Sequence, residues 1–135
     1  MKLNFTKEQT IKVIQAYYKM YENRDVEVVI KASKGCEGIY ETPCANIKIM
    51  VNSKVSVLGE QILTEGAIDK KEITNIFTTI LNEEGYSVEN IYYDAGLTTE
   101  DDRYNHSYPT AYFNGIHVEA KSMVKQKINI LGLNS

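Results

Sequence analysis

A chain of 135 residues has the size of a single domain, and its 43% hydrophobic residues suffice for one core, which excludes a wholly disordered protein. A net charge of −3, with only two arginines, excludes the strongly basic surface that is typical of nucleic-acid-binding proteins. No segment approaches the ~20 consecutive apolar residues of a membrane span, and the first residues lack a signal-peptide pattern, so we expect one cytoplasmic domain over residues 1–135.

A capping box predicts where the first helix begins. Thr6 precedes Gln9 by three positions, so the Thr6 side chain can accept from the Gln9 amide while the Gln9 side chain reaches back. Apolar residues then recur at steps of three and four from Ile11 to Tyr21, and the helix should end near Asn23. An apolar face of this width indicates packing against a sheet.

The next segment changes to the period of a strand. Residues 26–33 alternate in polarity, which predicts a half-buried strand, and two glycines within 35–38 predict a turn after it. The odd-numbered apolar stripe over 47–57 predicts one long strand. A hairpin at 52–53 is disfavoured because a two-residue turn there would lack glycine. A short strand over 61–65 follows.

The two cysteines of the chain, Cys36 and Cys44, flank this predicted turn. A zinc site takes about four ligands, and the neighbouring sequence offers no second Cys or His pair. Because a reducing cytoplasm keeps thiols reduced, we predict two free thiols, no metal and no cofactor.

The second helix also has a start signal. Asp69 and Glu72 form an Asp-led version of the capping box, and residues 73–81 carry one narrow apolar stripe at helical spacing. Gly85 stands where a left-handed residue commonly ends a helix. We therefore expect a helix that begins after Asp69 and ends before Gly85.

Strand signals return after this helix. Residues 87–93 should form a strand, and the polar stretch over 97–107 is interpreted as a loop. Asn114-Gly115 separates two apolar alternations, 108–113 and 116–120, which is a strong signal of a β-hairpin with a tight turn.

The element order predicts the fold class. It reads α-β-β-β-α-β-β, and the apolar residues of 128–131 leave a final strand open. Because hairpins dominate, the sheet should be mostly antiparallel. We predict an α+β two-layer sandwich with the two amphipathic helices on one face of the sheet. The other face would be exposed, or covered by a partner.

Reactive side chains are densest within the predicted loop, and tyrosine, at ten of 135 residues, is unusually frequent around it. Tyrosine offers a large rigid contact area with a polar tip, which favours recognition surfaces. A solvated loop and ordinary half-buried sheet tyrosines would give the same pattern, so both interpretations stay open. We assign no catalytic residue and no metal ligand. The candidate binding residues are Tyr92, Asp101, Asp102, Arg103, Tyr104, His106, Tyr108 and Tyr112.

Three functions remain open. The first is a non-catalytic protein that binds another protein or a second copy of itself. The abundance of Lys, Asn, Ile and Tyr is typical of AT-rich coding, which suits an accessory or inhibitor from a bacterium, phage or mobile element. The second is a binder of a small molecule or nucleotide through residues 94–112. The third is a minimal enzyme that uses His106 and nearby carboxylates.

The first hypothesis is preferred because the sequence contains no catalytic motif and the predicted sheet has an exposed face with aromatic residues. The absence of a glycine-rich phosphate loop argues against nucleotide binding by a P-loop or Rossmann motif. We expect no membrane and no nucleic-acid partner. His117, the other histidine of the chain, is expected to be a structural side chain with a satisfied hydrogen bond.

Overall fold

The computed structural model describes residues 1–37, 42–57, 60–101 and 107–123. These residues form six strands and two helices in the order β1 (Lys2–Thr6), α1 (Lys7–Glu22), β2 (Val26–Glu37), β3 (Thr42–Val57), β4 (Glu60–Ile68), α2 (Lys70–Glu83), β5 (Tyr86–Asp101) and β6 (Ser107–Ser122). The strands make two antiparallel sheets, ordered β1-β6-β5 and β2-β3-β4. The predicted α+β class, with two helices and antiparallel strands, is confirmed, although the strands divide between two sheets.

One hydrophobic core joins both helices to both sheets. Ile14 of α1 and Ile73 and Phe77 of α2 have no exposed surface, and Phe77 meets the ring of Phe5 edge-on at 5.2 Å between centroids. The other buried apolar residues come from α1, β2, β3, α2, β5 and β6: Tyr18, Val28, Ile30, Ile49, Val51, Ile76, Leu81, Ile91, Phe113, Ile116, Val118 and Ala120. Because apolar burial is the main favourable contribution to folding, this shared core holds the two sheets together.

The first helix begins and ends as predicted. The Gln9 amide donates to Thr6 Oγ1 at 3.1 Å, and the Thr6 amide donates to Gln9 Oε1 at 2.9 Å, so the full capping box is present. At the other end, Asn23 adopts the left-handed conformation with φ of 51°, which is a common way for a helix to stop.

The second helix has half of the predicted capping box. The Glu72 amide donates to Asp69 Oδ1 at 2.8 Å, which confirms Asp69 as the N-cap. Among the hydrogen bonds of the described residues, none returns from the Glu72 side chain to the Asp69 amide. Gly85 has a φ of 91°, which confirms its predicted left-handed conformation after the helix.

The β2-β3-β4 sheet is built from one long central strand. The prediction of a single strand over 47–57 is confirmed, since β3 spans 16 residues without a turn at 52–53. The prediction that a turn begins at Gly35 is wrong, because β2 continues to Glu37 and pairs Gly35 with Cys44. Cys44 is a free cysteine, as predicted. The expectation of a strand over 61–65 is met by β4, which is longer.

The first strand was not predicted. β1 pairs antiparallel with β6, from Lys2 opposite Glu119 to Thr6 opposite Gly115. Its alternate residues Leu3 and Phe5 pack against the core. The chain therefore enters α1 directly from a strand that lies beside the last described strand.

The last two strands form one long hairpin, and two predictions are wrong here. The loop prediction for 97–107 is wrong at 97–101 and at Ser107, because β5 runs on to Asp101 and pairs with β6 as far as Ser107; residues 102–106 lie outside the described residues. Asn114-Gly115 is not a hairpin turn, because it lies within β6. Asp94 pairs with Gly115 and Ala95 with Phe113, so Asn114 is the extra residue of a β-bulge.

Gly115 occupies this bulge for a steric reason. Its φ is +150°, and a Cβ atom built on it would collide with the backbone oxygen of Phe5 in the neighbouring β1. Only a residue without a side chain fits this backbone and this close approach. The predicted final strand near 128–131 lies outside the described residues. Neither α1 nor α2 has the length and apolar character needed to cross a bilayer.

Candidate functional site

One face of the β1-β6-β5 sheet points away from the core. Along these strands one set of alternate residues is buried, and the intervening set turns outward because successive side chains of a strand point to opposite faces. We call the outward set the open face. It consists of Lys2, Asn4, Asn90, Tyr92, Asp94, Thr98, Thr110, Tyr112, His117 and Glu119.

His117 lies at the centre of the open face and contacts a residue on each neighbouring strand. Its Nδ1 lies 2.6 Å from Asn4 Oδ1 on β1, and its Nε2 lies 3.4 Å from Asp94 Oδ2 on β5. Whichever ring nitrogen carries a proton donates to the oxygen that faces it, Asn4 Oδ1 for Nδ1 and the Asp94 carboxylate for Nε2. The three side chains therefore tie the three strands together.

Tyr92 stands next to this cluster as an exposed aromatic ring. It is opposite His117 in the β5-β6 register and keeps 40% of its surface exposed. The Asn90 side-chain amide donates to the Tyr92 hydroxyl at 2.7 Å. The ring is thus held in one place by a neighbour two residues earlier on the same strand.

The open face continues along the β5-β6 hairpin beyond the bulge. Tyr112 is opposite Gly96, and its hydroxyl would lie 3.0 Å from a Cβ at that glycine, so the ring lies across the bare backbone of Gly96. Thr98 and Thr110 share a hydrogen bond of 2.9 Å between their hydroxyl oxygens. Polar and aromatic groups therefore extend along the ribbon towards its tip.

The structure places half of the sequence-predicted site residues on this hairpin. Four of the eight lie in β5 and β6: Tyr92, Asp101, Tyr108 and Tyr112. Tyr92 and Tyr112 are on the open face. Asp101 is opposite Ser107 in the strand register, and Tyr108 is opposite Glu100. The remaining four lie outside the described residues: Asp102, Arg103, Tyr104 and His106. The small-molecule and His106 hypotheses stay predictions.

Three central residues of the open face were not among the sequence candidates. Asn4, Asp94 and His117 come together only through strand pairing, and Asn4 and His117 are 113 positions apart. The available signal was the alternation of Lys2, Asn4 and Thr6 with apolar residues, which indicates a strand before α1 with a polar outer face.

The His117 cluster has a restricted chemistry. A general base needs a ring nitrogen within reach of its substrate, and here each nitrogen of His117 already has a polar partner. Within the described parts of the chain, no group of three or more His, Cys, Asp or Glu side chains is arranged to hold a metal ion. This arrangement favours a positioning role, as the sequence led us to expect for His117.

The comparisons with known proteins leave this geometry as the basis for assigning a function. No protein-family model, no curated protein and no solved structure matches the chain. The function of the open face therefore follows from its own shape, charges and contacts.

Proposed function

We propose that this chain is a non-catalytic binding protein that contacts another protein through the open face of its β1-β6-β5 sheet. The observation that supports the proposal is Tyr92, an exposed ring held by Asn90 beside the paired His117 and Asp94. Residues that carry most of the binding energy at protein interfaces are often tyrosines. A side chain that is already held in place loses less conformational entropy on binding.

The shape of the face favours a protein over a small molecule. Small ligands bind in concave pockets, whereas the open face is a sheet surface that extends along the ribbon. The described residues form three clefts, which include Tyr18, Gln15 and Tyr17, respectively, in their linings. No residue that lines these three clefts belongs to the open face.

The charges of the face favour a protein over a nucleic acid. Lys2 and Glu119 are opposite one another in the register, and Asp94 adds a second carboxylate beside His117. A surface of mixed sign lacks the basic stripe that phosphate backbones require. Exposed tyrosines among polar side chains are instead common at protein interfaces.

A matched pair of tyrosine substitutions tests the proposal. Tyr92→Ala removes the ring from the open face, and Tyr21→Ala removes a ring of similar exposure, 45%, from α1. Tagged wild-type and variant proteins are used for quantitative affinity capture from the native host. We expect a set of proteins that wild type and Tyr21→Ala retain equally and Tyr92→Ala loses by about tenfold, because ~1.4 kcal/mol corresponds to that factor.

Two outcomes would contradict the proposal. Equal capture by Tyr92→Ala and wild type would show that the open face is not the contact surface. A dimer in sedimentation equilibrium that Tyr92→Ala dissociates would show that the face binds a second copy of the chain. Circular dichroism and the melting temperature of each variant confirm that the fold is retained, since both side chains are exposed.

A further inference from the structure

A separate cleft of about 310 Å³ lies between α1 and α2. None of its lining residues belongs to the open face. It is near the lower end of the volumes of ligand pockets, roughly 300–1,000 Å³. Its lining combines aromatic rings, carboxylates and an apolar base: Tyr17, Tyr18, Glu22, Glu72, Asn75 and Ile76. Glu22, Glu72 and Asn75 are exposed at its rim, while Tyr18 and Ile76 are buried at its base.

Two tyrosine rings form an aromatic corner of the cleft. The rings of Tyr17 and Tyr18 have centroids 5.4 Å apart and planes at 89°. Tyr18 already holds one cation of the chain itself, since the guanidinium carbon of Arg24 lies 5.0 Å from the centre of its ring. Aromatic faces attract cations, and the attraction strengthens as water is excluded.

The two carboxylates of the cleft are in different situations. Glu22 is paired with Arg24, with Oε2 3.3 Å from Nη2. Glu72 makes no returning cap bond to Asp69, and no ion pair within the described ranges involves it. Burial, followed by the negative charges of Glu72 and Glu22, raises the pKa of Tyr18.

We propose that this cleft binds a small organic cation, a primary or quaternary ammonium compound. The Tyr17 and Tyr18 rings would contact its alkyl or methyl groups by cation–π attraction, and Glu72 would supply the opposite charge. Ile76, which is 2% exposed, closes the base of the cleft. This function is independent of protein binding by the open face.

Choline chloride and 3,3-dimethylbutan-1-ol provide a charge test, because the two molecules have nearly the same shape and only choline is charged. Each is titrated to millimolar concentration into the full chain, and backbone amide shifts are followed by NMR. We expect choline to shift amides of α1 and α2 around the cleft, and the neutral alcohol to bind at least tenfold more weakly. n-Butylamine in a third titration separates a preference for primary amines from one for quaternary amines.

Substitutions of glutamate test the counter-charge. Glu72→Gln keeps the side-chain size and should weaken choline binding about tenfold, whereas Glu84→Gln makes the same charge change just beyond the end of α2, outside the cleft, and should not. The proposal is overturned if choline and its neutral analogue bind equally, if neither shifts the cleft amides, or if Glu72→Gln binds choline as tightly as wild type. The amide spectrum itself shows that each variant is folded.

Discussion

Substitution of Gly115 by alanine tests the bulge directly. Gly115 has a φ of +150°, and the added Cβ would collide with the backbone oxygen of Phe5 on β1. The contact is with backbone, so no side-chain rotation can relieve it. Either β1 moves away from β6 or the bulge rearranges, and both changes disturb the register that joins Thr6 to Gly115.

The expected loss of stability has two parts. A non-glycine residue in a sparsely populated backbone conformation costs about 1–3 kcal/mol, and inserting a methyl group into a closed space costs about 1–3 kcal/mol. Gly115→Ala should therefore reduce the free energy of unfolding by about 2–6 kcal/mol. With a urea m-value of about 2 kcal/mol/M, the midpoint of unfolding falls by ~1–3 M.

Gly66→Ala is the matched control in the same urea titration. A Cβ at Gly66 would meet no atom within 4 Å, so this alanine should change stability by less than about 1 kcal/mol and in the stabilising direction. If Gly115→Ala were as stable as Gly66→Ala, the bulge geometry and the close approach of β1 would both be refuted. In a tight turn the glycine would keep its positive φ without the contact with Phe5, so the loss would be limited to the conformational part, about 1–3 kcal/mol.

Three further substitutions test the hydrophobic core, the start of α1 and the dependence of the free energy of unfolding on pH above pH 10. Phe77→Ala should cost about 3–5 kcal/mol in urea unfolding, since Phe77 is fully buried against Phe5; a loss under about 1 kcal/mol would contradict this packing. Thr6→Ala should cost about 1 kcal/mol and lower the helical signal, because the Gln9 amide loses its partner, whereas Thr6→Ser should be nearly neutral. Burial, with a smaller effect of the Asp69 charge, raises the pKa of Tyr93 to about 12, so the folded state keeps a proton that the unfolded chain loses near pH 10. Stability should fall as the pH rises from 10 to 12, and Tyr93→Phe should show a shallower fall; equal slopes would contradict the assignment.

The helix ends could be predicted because their interactions are local. Thr6 and Gln9 are three residues apart, as are Asp69 and Glu72, so the residues that satisfy the first helix amides are visible in any short window of sequence. The long strand β3 was predictable for a similar reason, since alternation of apolar residues is a property of one segment.

The errors arose where a distant strand decides the local conformation. A glycine with positive φ serves a tight turn and a bulge equally well, and Asn114-Gly115 becomes a bulge because Gly115 pairs with Thr6 at the other end of the chain. The ribbon over 97–101 was taken for a loop because its residues are mainly polar. A polar segment lacks the apolar alternation that identifies a strand, even where its backbone pairs with a neighbouring strand.

The residues of the candidate site were likewise hard to predict where they depend on pairing between distant strands. Tyr92 and Tyr112 could be proposed from composition, because an excess of tyrosine can be counted without a structure. Asn4, Asp94 and His117 become neighbours only when β1, β5 and β6 are aligned in register. A cleft between two helices is equally hidden, since its volume depends on how α1 and α2 pack.

The short length of β1 divides β6 into two regions of different local stability. β1 pairs with β6 only over Gly115–Glu119, and towards Ser107 the strand is paired within this sheet with β5 alone. Two-stranded ribbons are marginally stable in water, so amides between 107 and 113 should exchange hydrogen with solvent through local opening. Amides of 116–120 should exchange only when the whole domain unfolds. A change in the ribbon could therefore alter partner binding while leaving the global free energy of unfolding unchanged.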